Sequence, residues 1–312
     1  MKTVVVFGGA GFLGSHVCDK LSDAGYKVTI FDKIESSYLR ADQNMVIGDI
    51  LSPDEVNKVV KDADIVFNFA GLADLDKATN NPVDTVRSNI LGNTYILEAC
   101  TKEKIERFAF ASSVYVYSNS GGFYRCSKQA CELYIENYHA CYDLQYTILR
   151  YGSLYGPRSD VSNGIYRFIN QALTENKLIF KGRPNALREF IHVEDAAECS
   201  VEILKPQYAN QHIILTGNQL HSIDQLLIMI KETINDNDIQ IEYDSKASDA
   251  HYEMTPYTFS PKYGKKMSPQ LHRDFGQGLL QVIEDVYNDL HPEEHKQYGL
   301  LVQDKEKGTK NP

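Results

Sequence analysis

The chain has no tryptophan, only six cysteines in 312 residues, and fewer basic than acidic residues, 32 against 42. The cysteines (Cys18, Cys100, Cys126, Cys131, Cys141 and Cys199) show no C-x-x-C pair and no disulfide-like spacing. That argues against a disulfide-stapled scaffold and fits reduced, mostly buried thiols. The nine histidines show no ligand spacing either, so no metal is expected. A formal net charge of −10 is wrong for a nucleic-acid footprint and for an anionic membrane surface. An anionic ligand must therefore be met by local positive groups. No apolar run is long enough to span a bilayer, and the N-terminus enters a strand directly rather than a leader peptide. The expected location is cytoplasmic, with neither nucleic acid nor membrane as a partner.

What is present is an ordinary globular composition, 43% hydrophobic and 24% charged, on a chain long enough for a two-lobed unit. Strand-like and helix-like patterns alternate through the first half. Apolar runs at Thr3–Phe7, Lys27–Asp32, Met45–Asp49, Asp64–Ala70, Arg107–Ser112 and Gln145–Arg150 read as strands. Between them lie a polar helix from about Pro53, a helical segment from Pro82 to Lys102, and a helix through Lys128 to Tyr142. Such alternation predicts an α/β fold, a Rossmann-type doubly wound parallel sheet with helices on both faces. Past Gly156-Pro157 the alternation loosens into a smaller α/β C-terminal substrate lobe. It contains a helix over 164–174, short strands near Leu178, His212 and Ile239, and helices from Val193, from Ser222 and around Leu279–Asp289. The expected boundaries are 1–156 for the first domain, 157–290 for the second, and 291–312 for a polar tail.

The first strand runs into Gly8-Gly-Ala-Gly11-Phe-Leu-Gly14. Glycines so placed let the backbone turn sharply and approach a diphosphate, which then meets N–H groups at the next helix's N-terminus. The second strand ends in Asp32, and a carboxylate there can accept both hydrogen bonds of an adenosine ribose while repelling a 2′-phosphate. NAD is therefore favoured over NADP, although Lys33 keeps the preference from being absolute.

A second constellation is Tyr124-Arg-Cys-Ser-Lys128, preceded by Ser112-Ser113 at the end of a strand. On a helix, positions four apart share a face, so the phenol and the ammonium point the same way. A tyrosine with pKa near ~10 is a poor base at neutral pH, and lowering it by about three units takes roughly 4 kcal/mol of differential interaction. A neighbouring ammonium and a positively charged nicotinamide both act in that direction. The Ser113 hydroxyl can orient a substrate alcohol beside the phenol.

Together with Asp49-Ile50, Asn89 and Ser113-Val-Tyr-Val-Tyr117, these residues make the chain resemble an extended short-chain dehydrogenase/reductase of the nucleotide-sugar epimerase/dehydratase branch. Arg150-Tyr-Gly-Ser-Leu-Tyr-Gly-Pro-Arg158 and Arg188-Glu-Phe-Ile-His-Val-Glu-Asp195 are similar to later motifs of that branch. The resemblance implies that Tyr124 is the general base for a sugar hydroxyl, usually the 4-hydroxyl, with Lys128 and Ser113 as its catalytic partners. Hydride would pass from that carbon to NAD. The implied cofactor set is Gly8, Gly11, Phe12, Leu13, Gly14, Asp32, Lys33, Asp49, Ile50, Phe69, Ala70, Gly71 and Lys128. The implied substrate set is Ser113, Tyr124, Ser153, Asn163, Arg183 and Arg188, with Arg188 reaching the diphosphate. Arg183 is either a second phosphate contact or an exposed loop arginine. The family also implies a homodimer through the 83–100 and 130–142 helices.

Departures from the family narrow the reaction. Dehydratases of this branch carry an Asp-Glu pair after the catalytic serine or threonine, and here those positions are Val114 and Tyr115. Dehydration is thereby disfavoured. The segment between Tyr117 and Tyr124 is shorter than in relatives, Ser153 stands where many have Asn, and Gly182-Arg-Pro replaces Gly-Asp-Gly. A 4-epimerase and a net 4-dehydrogenase, the latter needing a small keto acid as second oxidant, both fit a GDP- or UDP-linked sugar. Parts of the chain resemble the 4-dehydrogenases that act on GDP-manno-heptose in bacterial capsule pathways. An NADPH-dependent 4-keto-sugar reductase and a non-catalytic NAD-binding regulator stand as alternatives.

Overall fold

The computed structural model describes residues 1–244, with Met254 and Pro256. The expected helix at 279–289 and the polar tail at 291–312 lie outside the described residues.

The central sheet is built from β1 (Thr3–Phe7), β2 (Lys27–Asp32), β3 (Asn44–Ile47), β4 (Ile65–Asn68), β5 (Arg107–Ser113), β6 (Tyr146–Tyr151) and β10 (Gln211–Leu215). The order is β3-β2-β1-β4-β5-β6-β10, and every pairing is parallel. This is the doubly wound arrangement, in which ligands meet the C-terminal ends of the strands where the order reverses, here between β1 and β4. Side chains alternate across the sheet as the two-residue period requires. Val5, Phe7, Val66, Phe108, Phe110 and Ile148 enter one core, beneath α2 (Pro53–Val60), α5 (Gly92–Lys102) and α6 (Gly122–Tyr142). Val4, Val6, Phe67, Ala109, Leu149 and Tyr151 enter the other, beneath α1 (Phe12–Asp23) and α8 (Val193–Glu202). Each such phenylalanine contributes roughly 1.5–3 kcal/mol of hydrophobic stabilisation.

Two parts of the C-terminal half depart from the expected boundaries. The strand at 211–215, expected in the smaller lobe, is the edge strand of the central sheet, and α8 packs against α1. Both follow from burial: Leu215, Ala196, Ala197 and Ile203 complete the core over β1, β4 and β6. The remaining elements form their own core, with α7 (Gly164–Glu175) and α9 (Ile223–Ile234) over the parallel pair β8 (Lys177–Phe180) and β12 (Gln240–Tyr243). A three-stranded sheet of β11 (Leu220–Ser222), β9 (Leu187–His192) and β7 (Ser153–Tyr155) stands beside it.

The helical segment expected over 82–102 is not one α-helix. A short α4 (Pro82–Thr85) passes into a π-turn over Val86–Leu91 before α5 resumes. The wide turn carries the buried Asn89, whose amide accepts from Leu72 N and donates to Leu72 O and to Ser127 Oγ. A further helix, α3 (Leu75–Asn80), was not expected; Asp74 caps it by accepting from Lys77 N at 2.7 Å.

The glycine loop leaves no room for side chains. Gly8 has φ +76°, and a Cβ there would lie 2.6 Å from Ala70 N. A Cβ on Gly14 would lie 2.2 Å from Gly8 O, so α1 could not pack against the loop as it does. Gly14→Ala is expected to destabilise the protein by about 1–3 kcal/mol through overpacking, measured as a lower denaturant midpoint. An unchanged midpoint would contradict this close packing.

Candidate active site

Two cavities open at the C-terminal edge of the sheet, each about 300 Å³. One is walled by Gly8 and Gly11 of the loop, by Asp32 at the end of β2 and Lys33 after it, by Ile50, and by Phe69, Ala70 and Gly71 beyond β4. These residues come from successive strand ends because each parallel strand releases its chain at the same edge. Asp32 accepts from Ala10 N at 3.0 Å and from Lys33 N at 2.7 Å, one bond to each oxygen. A carboxylate has about four acceptor positions, so capacity for a diol is left over. Lys33 forms an ion pair with Asp49 at 3.2 Å, which places a carboxylate beside its ammonium.

Asp49 also accepts from Leu51 N and stands outside this cavity wall. Phe12 and Leu13 are outside it as well. They form the first turn of α1, Leu13 packing on the sheet core and Phe12 standing edge-on to His16. What the pair brings to the loop is its place at a helix N-terminus, where backbone N–H groups have no partner within the helix.

The second cavity brings together Ser113, Tyr124, Ser153, Asn163 and Arg188. Ser113 ends β5, and its Oγ accepts from Tyr115 N at 3.3 Å. Tyr124 lies in the first turn of α6, its ring edge-on to Tyr115 with centroids 6.1 Å apart. Lys128 follows one turn later. Its buried ammonium donates to Ala111 O at 2.7 Å, lies over the Phe110 ring at 4.8 Å, and is 5.7 Å from the Tyr124 ring centroid. Burial lowers the Lys128 pKa, while Cys131 and Glu132 act in the opposite direction. An ammonium in such surroundings gains from a nearby anion, and a phenolate at Tyr124 would be one.

On the far wall, Arg188 is 5% exposed on β9 and donates to Leu187 O at 3.0 Å. Asn163 is the N-cap of α7, accepting from Ile165 N and Tyr166 N and donating to Leu154 O. Arg183 stands apart from the others, exposed on the loop between β8 and β9 and outside the cavity wall. Of the two readings open for it, the loop arginine is the one its position fits.

The two cavities share a connecting segment. Residues 69–72 line the first and residues 73–76 the second, so the chain beyond β4 runs from one into the other. Asn89 holds this segment at Leu72 and is itself bonded to Ser127 on α6, between Tyr124 and Lys128. In the sequence it was marked only as one of the residues that carry the family resemblance. Asp74, Asp76 and Arg167 also line the second cavity and carried no motif to mark them.

The residues present suit a dinucleotide. Gly8 and Gly11 line the first cavity without a side chain, the N-terminus of α1 stands behind the loop, and Asp32 at the end of the next strand retains free acceptor capacity. No helix among the described residues is long and apolar enough to cross a membrane.

Residues 4–216 match the model of the NAD dependent epimerase/dehydratase family. A protein named as a UDP-glucose 4-epimerase from Methanocaldococcus jannaschii is 30% identical over 252 residues, 74% of this chain and 82% of that protein. The solved UDP-N-acetylglucosamine 4-epimerase of Methanobrevibacter ruminantium, in complex with UDP-N-acetylmuramic acid, is 28% identical with a TM-score of 0.75. That likeness covers 83% of this chain and 90% of the other. The Thermus thermophilus UDP-glucose 4-epimerase complexed with NAD has the same fold, with a TM-score of 0.73, 22% identity and coverage of 83% and 90%. With its cofactor cradle, its sheet order and these matches in agreement, this chain belongs to the NAD dependent epimerase/dehydratase family, enzymes of the extended short-chain dehydrogenase/reductase type.

Proposed function

We propose that this enzyme oxidises the 4-hydroxyl of a UDP-linked sugar and acts as a 4-epimerase. The observation that carries the reading is the shared wall of the second cavity, where Ser113 and Tyr124 face the same space as Arg188. A phenol and a hydroxyl suit an alcohol that loses its proton, and a guanidinium suits a diphosphate that carries the nucleotide. NAD, held at the cavity walled by Gly8, Gly11 and Asp32, would supply the hydride acceptor that this oxidation needs and, in an epimerase, the hydride donor for the opposite face of the sugar.

Tyr124 takes the proton of the 4-hydroxyl in this account, and Ser113 hydrogen-bonds the same oxygen and holds it in line. Lys128 provides the positive charge that makes the phenolate accessible near neutral pH. Arg188 neutralises the diphosphate, the local positive group that a chain of net charge −10 must supply. Val114 and Tyr115 line the cavity directly after Ser113. Neither can protonate a departing hydroxyl in the way the Asp-Glu pair of the dehydratases does. The epimerase is preferred to a net dehydrogenase because the M. jannaschii and M. ruminantium relatives carry that name.

The same reading includes a homodimer. Val83, Val86, Leu91, Leu133, Tyr134 and Tyr142 are all at least 40% exposed along the α4–α5 and α6 segments. Apolar groups in such number on two neighbouring helices suit a second copy of this chain as their cover.

The function is tested by incubating the NAD-loaded protein with UDP-glucose, UDP-N-acetylglucosamine and GDP-linked sugars, including GDP-manno-heptose. Reduced-nicotinamide absorbance and product identity are recorded. The expected result is a UDP-sugar inverted at carbon 4 with no lasting absorbance change. Accumulated reduced cofactor with a keto sugar, relieved by a small keto acid, would establish a net dehydrogenase instead. Turnover of GDP-sugars alone would overturn the nucleotide assignment. For the cofactor, Asp32→Asn removes a charged acceptor worth about 1.5–3 kcal/mol. NAD affinity is expected to fall roughly ten- to a hundredfold, with the NAD-to-NADP preference narrowed. A variant with an unaltered preference would remove Asp32 from ribose recognition.

A further inference from the structure

The catalytic helix α6 carries a second charged group, Glu132, one turn beyond Lys128. Its side chain is 8% exposed, and its partner Arg150, on β6, is 13% exposed. The guanidinium meets the carboxylate with both arms, Nε to Oε1 at 3.0 Å and a terminal nitrogen to Oε2 at 2.6 Å. Ser112, next to Ser113 on β5, donates to the same carboxylate, and Arg150 also bonds the Tyr117 hydroxyl. His212 on β10 lies against Arg150, stands 3.8 Å from Glu132, and reaches Glu136 at 3.0 Å. This one cluster therefore holds β5, β6, β10, α6 and the turn that follows Ser113.

We infer that Glu132 and Arg150 are a positioning pair for Ser113, Tyr124 and Lys128, fixing α6 on the sheet while cancelling each other's charge so that Lys128 sets the field at the phenol. The inference rests on the role proposed for Tyr124. The geometry supports it at both ends. Ser112, the strand residue before Ser113, bonds Glu132 directly, and Glu132 lies on the same helix face as Lys128. Simple core packing does not need ions here, since a well-packed apolar group of similar volume is often as stable as a buried ion pair. The charged groups facing the pair are Lys128 and Glu136 on α6 and His212 on β10, together with the titratable Cys131, Tyr117 and, on β6, Tyr146.

Tyr124 and Glu132 are eight residues apart, about 12 Å along a helix. A single uncancelled charge at that range moves a phenol's midpoint by about 0.2 to 1 pH unit. The sign depends on which partner is lost. Glu132→Gln leaves Arg150 uncancelled and favours the phenolate, lowering the midpoint. Arg150→Gln leaves Glu132 uncancelled and raises it.

The test compares phenolate absorbance against pH in NAD-loaded protein, each variant being subtracted from the same variant carrying Tyr124→Phe. It needs no sugar, so it reads even where the proposed substrate is wrong. Opposite shifts for the two variants, with the double variant back near the wild-type midpoint, are the expected result. Midpoints that stay put or move in the same direction would make the pair a structural element only. Glu132→Asp and Arg150→Lys keep both charges and carry the test if the neutral variants do not fold. They are expected to leave the midpoint in place and lower kcat about fivefold or more with KM for the nucleotide sugar unchanged. Wild-type kcat in both would overturn the positioning role. Failure of every form, wild type included, to turn over a nucleotide sugar would count against the proposed function and leave the titration result standing.

Discussion

The site depends on where α6 crosses the strand end of β5. Lys128 is anchored there by its bond to Ala111 O, two residues before Ser113, and the same helix carries Tyr124 one turn earlier. Displacing α6 would move the phenol away from the Ser113 hydroxyl and expose the ammonium to water. Water screens charge, so an exposed ammonium has far less influence on a phenol than a buried one. Burial also lowers the Lys128 pKa, a cost to its charge that a nearby anion would offset.

The parallel sheet supplies the rest of the geometry. Because all seven strands of the sheet point the same way, Gly8, Asp32, Phe69 and Ser113 emerge at one edge from four different places in the sequence. The loop after β4 then links the cradle to the second cavity, and Asn89 holds that loop to α6. Asn89 lies within the π-turn at 86–91 and is buried there. Wide turns of this kind commonly occur in functional regions of helices.

Much of this was legible in the sequence, for identifiable reasons. The strands of the first half were visible because buried parallel strands are continuous runs of β-branched and aromatic residues. The glycine loop and Tyr124…Lys128 were visible because each needs fixed residue types at fixed spacing. What was not legible depended on tertiary partners. The strand at 211–215 looks like any short apolar run, and only its pairing with β6 assigns it to the central sheet. The π-turn keeps helical periodicity on either side, so the 82–102 segment read as one helix. Asp49 and Phe12 sit in the expected motifs, and the partners of their side chains, Lys33 and His16, could be named only once the chain had folded. Glu132 and Arg150 lie far apart in sequence and become a pair only when α6 folds over β6.

The central claim is that chemistry occurs at the carbon bearing the 4-hydroxyl, with Tyr124 moving the hydroxyl proton and the hydrogen on carbon leaving as hydride. The most direct measurement uses a UDP-sugar deuterated at carbon 4 in ordinary water. The account predicts an epimer that retains the deuterium at carbon 4, formed more slowly than from unlabelled sugar. It also predicts that Tyr124→Phe lowers the rate at least about a hundredfold, the lower end of what general acid–base catalysis commonly contributes. Loss of the label to solvent, or a Tyr124→Phe variant of normal rate, would contradict the account.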